Sequence, residues 1–287
     1  MFTRAFAFER AEHLAQACEL LRRHGEGAKV IAGGQSLLAL VNLGLVQPEI
    51  VIDIFRASGD RDARLADGYL RIGALMTHAR LAADPVAQRA QPLLGAAARR
   101  IGNPRVRARG TLGGSLAHSD PAAELPLVMV ALGASYELTN GLEKRTVPAA
   151  EFHLGFLTTE LAEDELVAAV TVPSLGPGWG WSFQEASRRD GDFAMAAAAV
   201  LVRMADGVIV ESRVAVGGIG DRPVRLAAVE IALSGATVSE LPGRVGPIDG
   251  IRPVSDTNAS AGYRARLCRV LVQRAVAEAS SRSGAAA

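Results

Sequence analysis

Two short glycine-bearing segments are the residues of this chain best suited to chemistry. Ala32-Gly33-Gly34-Gln35-Ser36 falls between a buried-strand pattern and a helical one. Glycine lets the backbone come close to a ligand, and a helix start offers unpaired N–H groups to an anion, so phosphate is the natural guest. The same residues also read as an ordinary turn with Ser36 as the helix N-cap. A second segment, Thr111-Leu112-Gly113-Gly114-Ser115, follows a stretch holding Arg99, Arg100, Arg105, Arg107 and Arg109. Two such turns, each beside hydroxyl side chains, fit a diphosphate held between two loops better than one chance turn does. In an arginine-biased chain the guanidinium groups also read as a solvated loop. Neither turn is G-x-G-x-x-G, and Gly218-Ile219-Gly220 fails that pattern because position 223 is proline, which speaks against an ordinary Rossmann site.

Glu124 follows Asp120-Pro121, where a carboxylate gains from the helix dipole whether or not it touches a ligand. A charge-assisted hydrogen bond from it to a cofactor would add about 1.5–3 kcal/mol. His13, His24, His78, His118 and His153 show no metal-ligand spacing and no G-x-S-x-G elbow offers a nucleophile, so zinc and hydrolase chemistry lapse and no catalytic or metal-ligating residue is assigned. The chain has two cysteines, Cys18 and Cys268. Both sit in helical apolar patterns as inert thiols, and two are too few for an iron–sulfur cluster, which usually needs about four thiolates.

The surrounding composition excludes several classes. With 31 basic and 30 acidic residues and a net charge of +1, the chain has no general attraction to nucleic acid or to an anionic membrane. Only Lys29 and Lys144 among the basic residues are lysines. At 49% hydrophobic residues over 287 positions, there is enough apolar material for a core and for roughly two domains. The longest apolar run, Ala194 to Val202, falls short of the ~18 residues a membrane span needs. The N-terminus lacks an apolar leader pattern, so a cytoplasmic location is expected.

The elements that must position the glycine turns follow from periodicity. Alternation at Phe2, Arg4, Phe6 and Phe8 predicts a strand, then a helix from Ala11 to His24, a strand from Ala28 to Ala32, a helix from Ser36 to Leu45 and an apolar strand from Ile50 to Ile54, a βαβ-type unit. Next come strands at 63–65 and 69–72, helices after Thr77 and at 93–100, a loop from Gly102 to Ser119, a helix from Ala122 to Leu132, and strands at 135–139 and 166–172. The segment SLGPGWGW (174–181) concentrates glycine and proline, marking a domain boundary. Strands at 182–187, 194–204 and 208–216 and helices at 226–233 and 262–279 follow, with a frayed tail.

Three blocks together carry a family resemblance: AGGQSLLALVNLGLVQPEIVIDI, IGNPRVRARGTLGGSLAHSDPAAELP and SFQEASRRDGDFAMAAAAV. In this order and spacing they resemble the FAD-binding medium subunit of the molybdenum hydroxylases, the carbon monoxide dehydrogenase and xanthine dehydrogenase group, over essentially the whole chain. The resemblance implies an α+β fold: a two-lobed FAD-binding domain of the p-cresol-methylhydroxylase/vanillyl-alcohol-oxidase type over 1–176 (lobes 1–55 and 56–176), and a small α/β C-terminal domain over 177–287. By similarity, Ala32, Gly33, Gly34, Gln35 and Ser36 and then Thr111, Leu112, Gly113, Gly114 and Ser115 clasp the FAD diphosphate, and Ile101 packs near the flavin. Glu124 stands where relatives usually carry aspartate, and Lys29, Val30, Val167 and Gln184 match positions that contact FAD in some relatives. The implied partners are a large subunit with a molybdopterin-type molybdenum cofactor and a small subunit with two [2Fe–2S] clusters, in a dimer of heterotrimers. This chain's FAD would pass their electrons to an external acceptor, quinone, NAD or oxygen. The rival reading is a scaffold or assembly subunit that keeps the fold without FAD.

Overall fold

The computed structural model describes residues 5–248 and 250–284. Phe2 and Arg4 of the expected first strand, and the last three residues of the tail, lie outside them. Strand β1 (Ala7–Arg10), helix α1 (Leu14–His24), strand β2 (Ala28–Ile31), helix α2 (Leu37–Asn42) and strand β3 (Ile50–Asp53) form the opening unit. Its sheet is parallel in the order β1-β3-β2. The His13 ring caps α1 by accepting from Gln16 N–H, and Arg22, Arg23 and His24 fill its last turn, where cations complement the C-terminal dipole. Ala17, Cys18, Leu20 and Leu21 are its buried stripe, packed on Ile50 and Ile52.

The middle unit begins with β4 (Ala63–Ala66) and β5 (Tyr69–Gly73), and continues through helices α3 (His78–Ala83), α4 (Pro85–Ala90), α5 (Pro92–Arg100), α6 (Pro104–Arg109), α7 (Leu112–His118) and α8 (Glu124–Leu132). Then come β6 (Ser135–Thr139), β7 (Lys144–Pro148), the one-turn α9 (Ala149–Phe152), β8 (His153–Gly155), β9 (Thr158–Thr159) and β10 (Leu166–Pro173). The main sheet is antiparallel in the order β4-β5-β10-β6-β7. Helix α8 is buried on every side from Leu125 to Leu132, the pattern of a helix passing through a core rather than lying on one.

The segment 102–119, read from sequence as a loop, contains two helices. Asn103 Oδ1 accepts from Arg105 and Val106 N–H with Pro104 in the first turn, and Thr111 Oγ1 accepts from Gly114 N–H to start α7. Both caps were present in the sequence, but each helix is too short for a hydrophobic period to show. Helix α8 likewise starts at Glu124 rather than at Ala122, because the Asp120 carboxylate closes a local turn by accepting from Ala122 N–H at 2.8 Å.

The last unit comprises β11 (Trp179–Ala186), β12 (Ala196–Ala205), β13 (Val208–Gly217), β14 (Val224–Arg225), α10 (Ala227–Leu233), α11 (Leu241–Arg244) and α12 (Ala261–Gly284). Its antiparallel sheet, β11-β12-β13-β14, is apolar on both faces. Along β12, Ala197, Ala199 and Leu201 join the core around α8, while Ala196, Ala198, Val200 and Val202 join the core under α12. This two-residue period lets one strand seal two cores. Cys18 and Cys268 are both buried, and burial pushes their thiols up to about 11 and about 12, which keeps them unreactive. No helix of the described residues is long and apolar enough to cross a membrane.

Helix α12 lies so close to β11 that a Cβ added at Gly180 would stand 1.9 Å from the Ala279 carbonyl oxygen. Gly180→Ala is therefore expected to lose about 1–3 kcal/mol or more of stability in urea titration. Gly176→Ala, where an added Cβ meets nothing nearer than 3.9 Å, should stay within about 0.5 kcal/mol of the parent. Equal effects would contradict this packing.

Candidate functional site

The glycine turns meet across a joint between the first two units. A Cβ added at Gly33 would lie 2.1 Å from the Arg109 carbonyl oxygen and 2.8 Å from Gly110 Cα, so only glycine allows this contact. Gly34, at φ +75°, turns the chain from β2 into α2, a conformation that favours glycine. The Gln35 amide donates to Gly33 O at 3.0 Å, stiffening the loop. On the other side, Gly113 would drive a Cβ to 2.6 Å from Ala74 Cβ, so α7 rests directly on the backbone after β5.

Beside this joint opens a cavity of about 760 Å³, within the size range of small-molecule and cofactor sites. Lys29, Val30, Ala32, Gly33, Gly34, Gln35 and Ser36 line it from the first unit. Ile101, Thr111, Gly113, Gly114, Ser115, Glu124 and Val167 line it from the middle unit. The loop Gly191-Asp192-Phe193 of the last unit completes the rim, with Gly191 close against Gly102 and the Phe193 ring 70% exposed. The sequence reading missed this third contributor, together with Gly110, His78 and Leu157. Gly191 between Asp190 and Asp192, inside the block SFQEASRRDGDFAMAAAAV, was its one sequence signal.

Two expected site residues lie elsewhere. Leu112 is fully buried in the core and its N–H donates to Met76 O. Gln184 points from β11 toward α12, where its amide donates to Glu278 Oε2. Alternation on β11 is the reason: Gln184 shares a face with Ser182, which also bonds Glu278, while Phe183 and Glu185 face the middle unit.

The two turns differ in what they offer an anion. The N–H groups of Gly34, Gln35 and Ser36 donate to no acceptor in the described chain, whereas those of Leu112, Gly113, Gly114 and Ser115 are spent on Met76 O, Ala74 O, Thr111 Oγ1 and Thr111 O. Free backbone donors thus come from the first turn, and close approach plus the Ser115 hydroxyl from the second. The arginines near the second turn serve the fold instead. Arg99 donates to Ala82 O, Arg107 to Ile101 O and Gly102 O, and Arg109 stacks 3.8 Å from the Phe55 ring centroid. Among the described residues Lys29 is the one lysine or arginine lining the cavity. An anion bound here is therefore held mainly by backbone N–H groups.

The inner wall is acidic but not fully ionised. Glu124 opens α8 from a partly buried position. Burial, reinforced by Glu185 and Asp120 and opposed by its own backbone N–H and by Arg100, pushes its carboxyl up to about 8. The charged acceptor expected from sequence is thus a neutral acid at pH 7. Glu185, with a side chain only 2% exposed, is raised by burial to about 7 despite Arg100 Nε at 3.9 Å. Behind this wall, Ser119 Oγ and Tyr136 Oη bracket the His153 ring at 2.8 and 3.1 Å, and burial lowers that imidazole to about 4. This neutral, closed network anchors the turn leading to Asp120 and Glu124.

The chain is similar to several known proteins. Residues 4–175 match the family of FAD binding domains in molybdopterin dehydrogenases. Residues 181–279 match the CO dehydrogenase flavoprotein C-terminal domain. The nicotine 6-hydroxylase medium subunit of Paenarthrobacter nicotinovorans is 38% identical over 94% of this chain and 95% of its own length. The carbon monoxide dehydrogenase medium chain of Hydrogenophaga pseudoflava is 32% identical over 94% and 96%. Among solved structures, carbon monoxide dehydrogenase from Hydrogenophaga pseudoflava superimposes with a TM-score of 0.93 at 34% identity, covering 98% of this chain and 99% of that one. Quinoline 2-oxidoreductase from Pseudomonas putida 86 gives 0.91 at 31%, covering 99% of both.

The raised Glu124 acid makes stability pH-dependent. Unfolded, a glutamate ionises near its ordinary value of 4.5, but burial pushes folded Glu124 up to about 8. The wild type therefore loses stability as pH rises between these values, and Glu124→Gln does not. Thermal or urea unfolding of the apoprotein should show the variant gaining on the wild type from about pH 5 to about pH 8, by a few kcal/mol at most. A gap independent of pH would mean that Glu124 ionises normally.

Proposed function

This chain belongs to the family of FAD-binding medium subunits of the molybdenum hydroxylases, and from that membership we propose how its own residues serve the cofactor. The observation that carries the proposal is that the N–H groups of Gly34, Gln35 and Ser36 have no acceptor in the described chain and belong to residues lining a cleft that Gly113 and Gly114 line from the other unit. They hold the FAD diphosphate. Gly113 and Gly114 let the phosphates come close from the other side, the Ser115 hydroxyl adds a donor, and Lys29 supplies nearby positive charge. The cleft fits such a group: its volume of about 760 Å³ lies among cofactor sites, and its apolar lining at Val30, Ile101 and Val167 suits an aromatic ring system.

Bound FAD supplies a two-electron carrier, whose position and surroundings the protein sets. Ile101 and Val167 shield the flavin end from water, Leu157 and Phe193 close the rim, and Glu124 presents a neutral O–H to the cofactor. Ala32 keeps the wall of the first turn small. Val30 packs the floor beneath it.

The FAD-binding part runs over residues 1–176, in lobes 1–55 and 56–176, and the C-terminal domain over 177–287. The chain works beside a large subunit carrying a molybdopterin-type molybdenum cofactor and a small subunit carrying two [2Fe–2S] clusters. A dimer of these heterotrimers in the cytoplasm is the assembly we infer. The two buried cysteines of this chain cannot supply cluster ligands, which supports cluster-bearing partners.

The cleanest probe of the clasp is Gly114. A Cβ there meets only the Thr111 hydroxyl, at 2.8 Å, whereas one at Gly33 collides with backbone and would open the joint itself. Gly114→Val is expected to lower FAD affinity at least tenfold, or about 1.4 kcal/mol, while the apoprotein keeps its circular dichroism spectrum. Gly33→Val should lose both FAD and apoprotein stability. If Gly114→Val binds FAD with parental affinity in a fluorescence titration, the cleft is not the FAD site.

A further inference from the structure

Glu124 and Glu185 approach the same wall from different units, one at the start of α8 and one on β11. Neither accepts a hydrogen bond from a cationic side chain: Arg100 stands 3.9 Å from Glu185 Oε2, beyond hydrogen-bond range, and that oxygen is buried without a partner. An ionised carboxylate buried without a donor costs far more than a protonated one, which favours the acid form at Glu185, whereas Glu124 keeps its own backbone N–H as a donor. Glu124 alone of the two lines the cofactor cleft.

We propose that Glu124 and Glu185 form a proton-holding site in the cleft wall, in which the proton on Glu124 is linked to FAD binding and to the redox state of the bound flavin. The inference rests on reading the cleft as the FAD site. Two-electron reduction of a flavin takes up two electrons from the partner's reduced clusters together with one proton, giving an anionic reduced ring, or two protons, giving a neutral one. A proton on Glu124 removes a negative charge from the wall against which that electron density builds. When Glu124 is ionised, the wall disfavours both the bound diphosphate and the reduced ring, and reduction then brings a further proton from solvent onto the Glu124 carboxylate.

The charged and titratable groups around Glu124 set the balance. Glu185 and Asp120 favour its protonated form and Arg100 opposes it. Asp190 acts on Glu185. The His118 ring, in the preceding helix, is itself held neutral by burial, with Asp120 opposing. His153 is committed to Ser119 and Tyr136. On the last unit, Arg213 donates to Leu132 O at the far end of α8, while Arg225 and Glu230 pair with each other. Arg100 acts on both glutamates, and Lys29, Asp192, Glu163 and Glu165 line the same cleft.

The test measures FAD affinity and the flavin midpoint potential of the FAD-loaded full-length chain from about pH 6 to about pH 10. The wild type should lose about tenfold in affinity across the alkaline limb, with an inflection of the potential in the same range. Glu124→Gln should abolish both inflections. Glu185→Gln should move them to lower pH and Arg100→Gln to higher pH, opposite shifts that a merely structural role would not give. Inflections that persist in Glu124→Gln, or wild-type curves without any, overturn the proposal. Infrared spectra of the apoprotein at pH 7 separate this from the cofactor reading. A protonated-carboxyl stretch that is lost in Glu124→Gln supports the proton site even if FAD binds elsewhere, and its absence from the wild type refutes the proton site whatever FAD does.

Discussion

The cleft depends on one backbone contact, the passage of Gly33 over Arg109 and Gly110, where a single methyl group would lie 2.1 Å from a carbonyl oxygen. That contact sets the first turn and the second turn on either side of one space. Around it the protein spends its arginines on holding the joint: Arg109 covers the Phe55 ring, and Arg61 donates to the carbonyls of Phe55, Ala57 and Leu75. The basic stretch that could have served phosphate is therefore structural, and anion binding falls to backbone N–H groups. Backbone donors do this without the desolvation cost of burying a guanidinium.

Three hydrophobic clusters keep this joint rigid. The first packs α1 on the parallel sheet, the second surrounds α8, and the third lies under α12. The sheet of the last unit touches two of them at once, because alternate residues of β12 face opposite ways. Its loop at 191–193 is thereby fixed at the rim of the cleft, and its Glu185 at the back of the wall. An acidic wall in a cofactor cleft would repel a diphosphate if fully ionised. Burial eases this by pushing the Glu124 carboxyl up to about 8.

Much of this was legible in the sequence, because a glycine turn between a strand and a helix, as at Gly33-Gly34, has few structural meanings and family-specific blocks surround both glycine segments. The opening βαβ order, the helix pattern of α1 and the long apolar strands followed from periodicity. Helices α6 and α7 did not, since six- and seven-residue helices are announced only by their caps, Asn103 and Thr111. Gln184 shows a second limit. Motif position places it next to the cofactor, but which face of β11 a residue occupies depends on the pairing of β11 with β12 and on the seat of α12, neither of which is local. The state of Glu124 was also beyond the sequence, because its protonation follows from burial and from neighbours that the middle and last units supply together.

The central claim is that the first turn holds the cofactor phosphates with backbone donors left free by the fold. Residue-resolved amide hydrogen exchange, with and without added FAD, tests it most directly. The unbonded N–H groups of Gly34, Gln35 and Ser36 should exchange quickly in the apoprotein and gain strong protection with FAD, while Gly113 and Ser115, already bonded within the protein, change little. Amides at 34–36 that exchange at the same rate with saturating FAD would contradict the account.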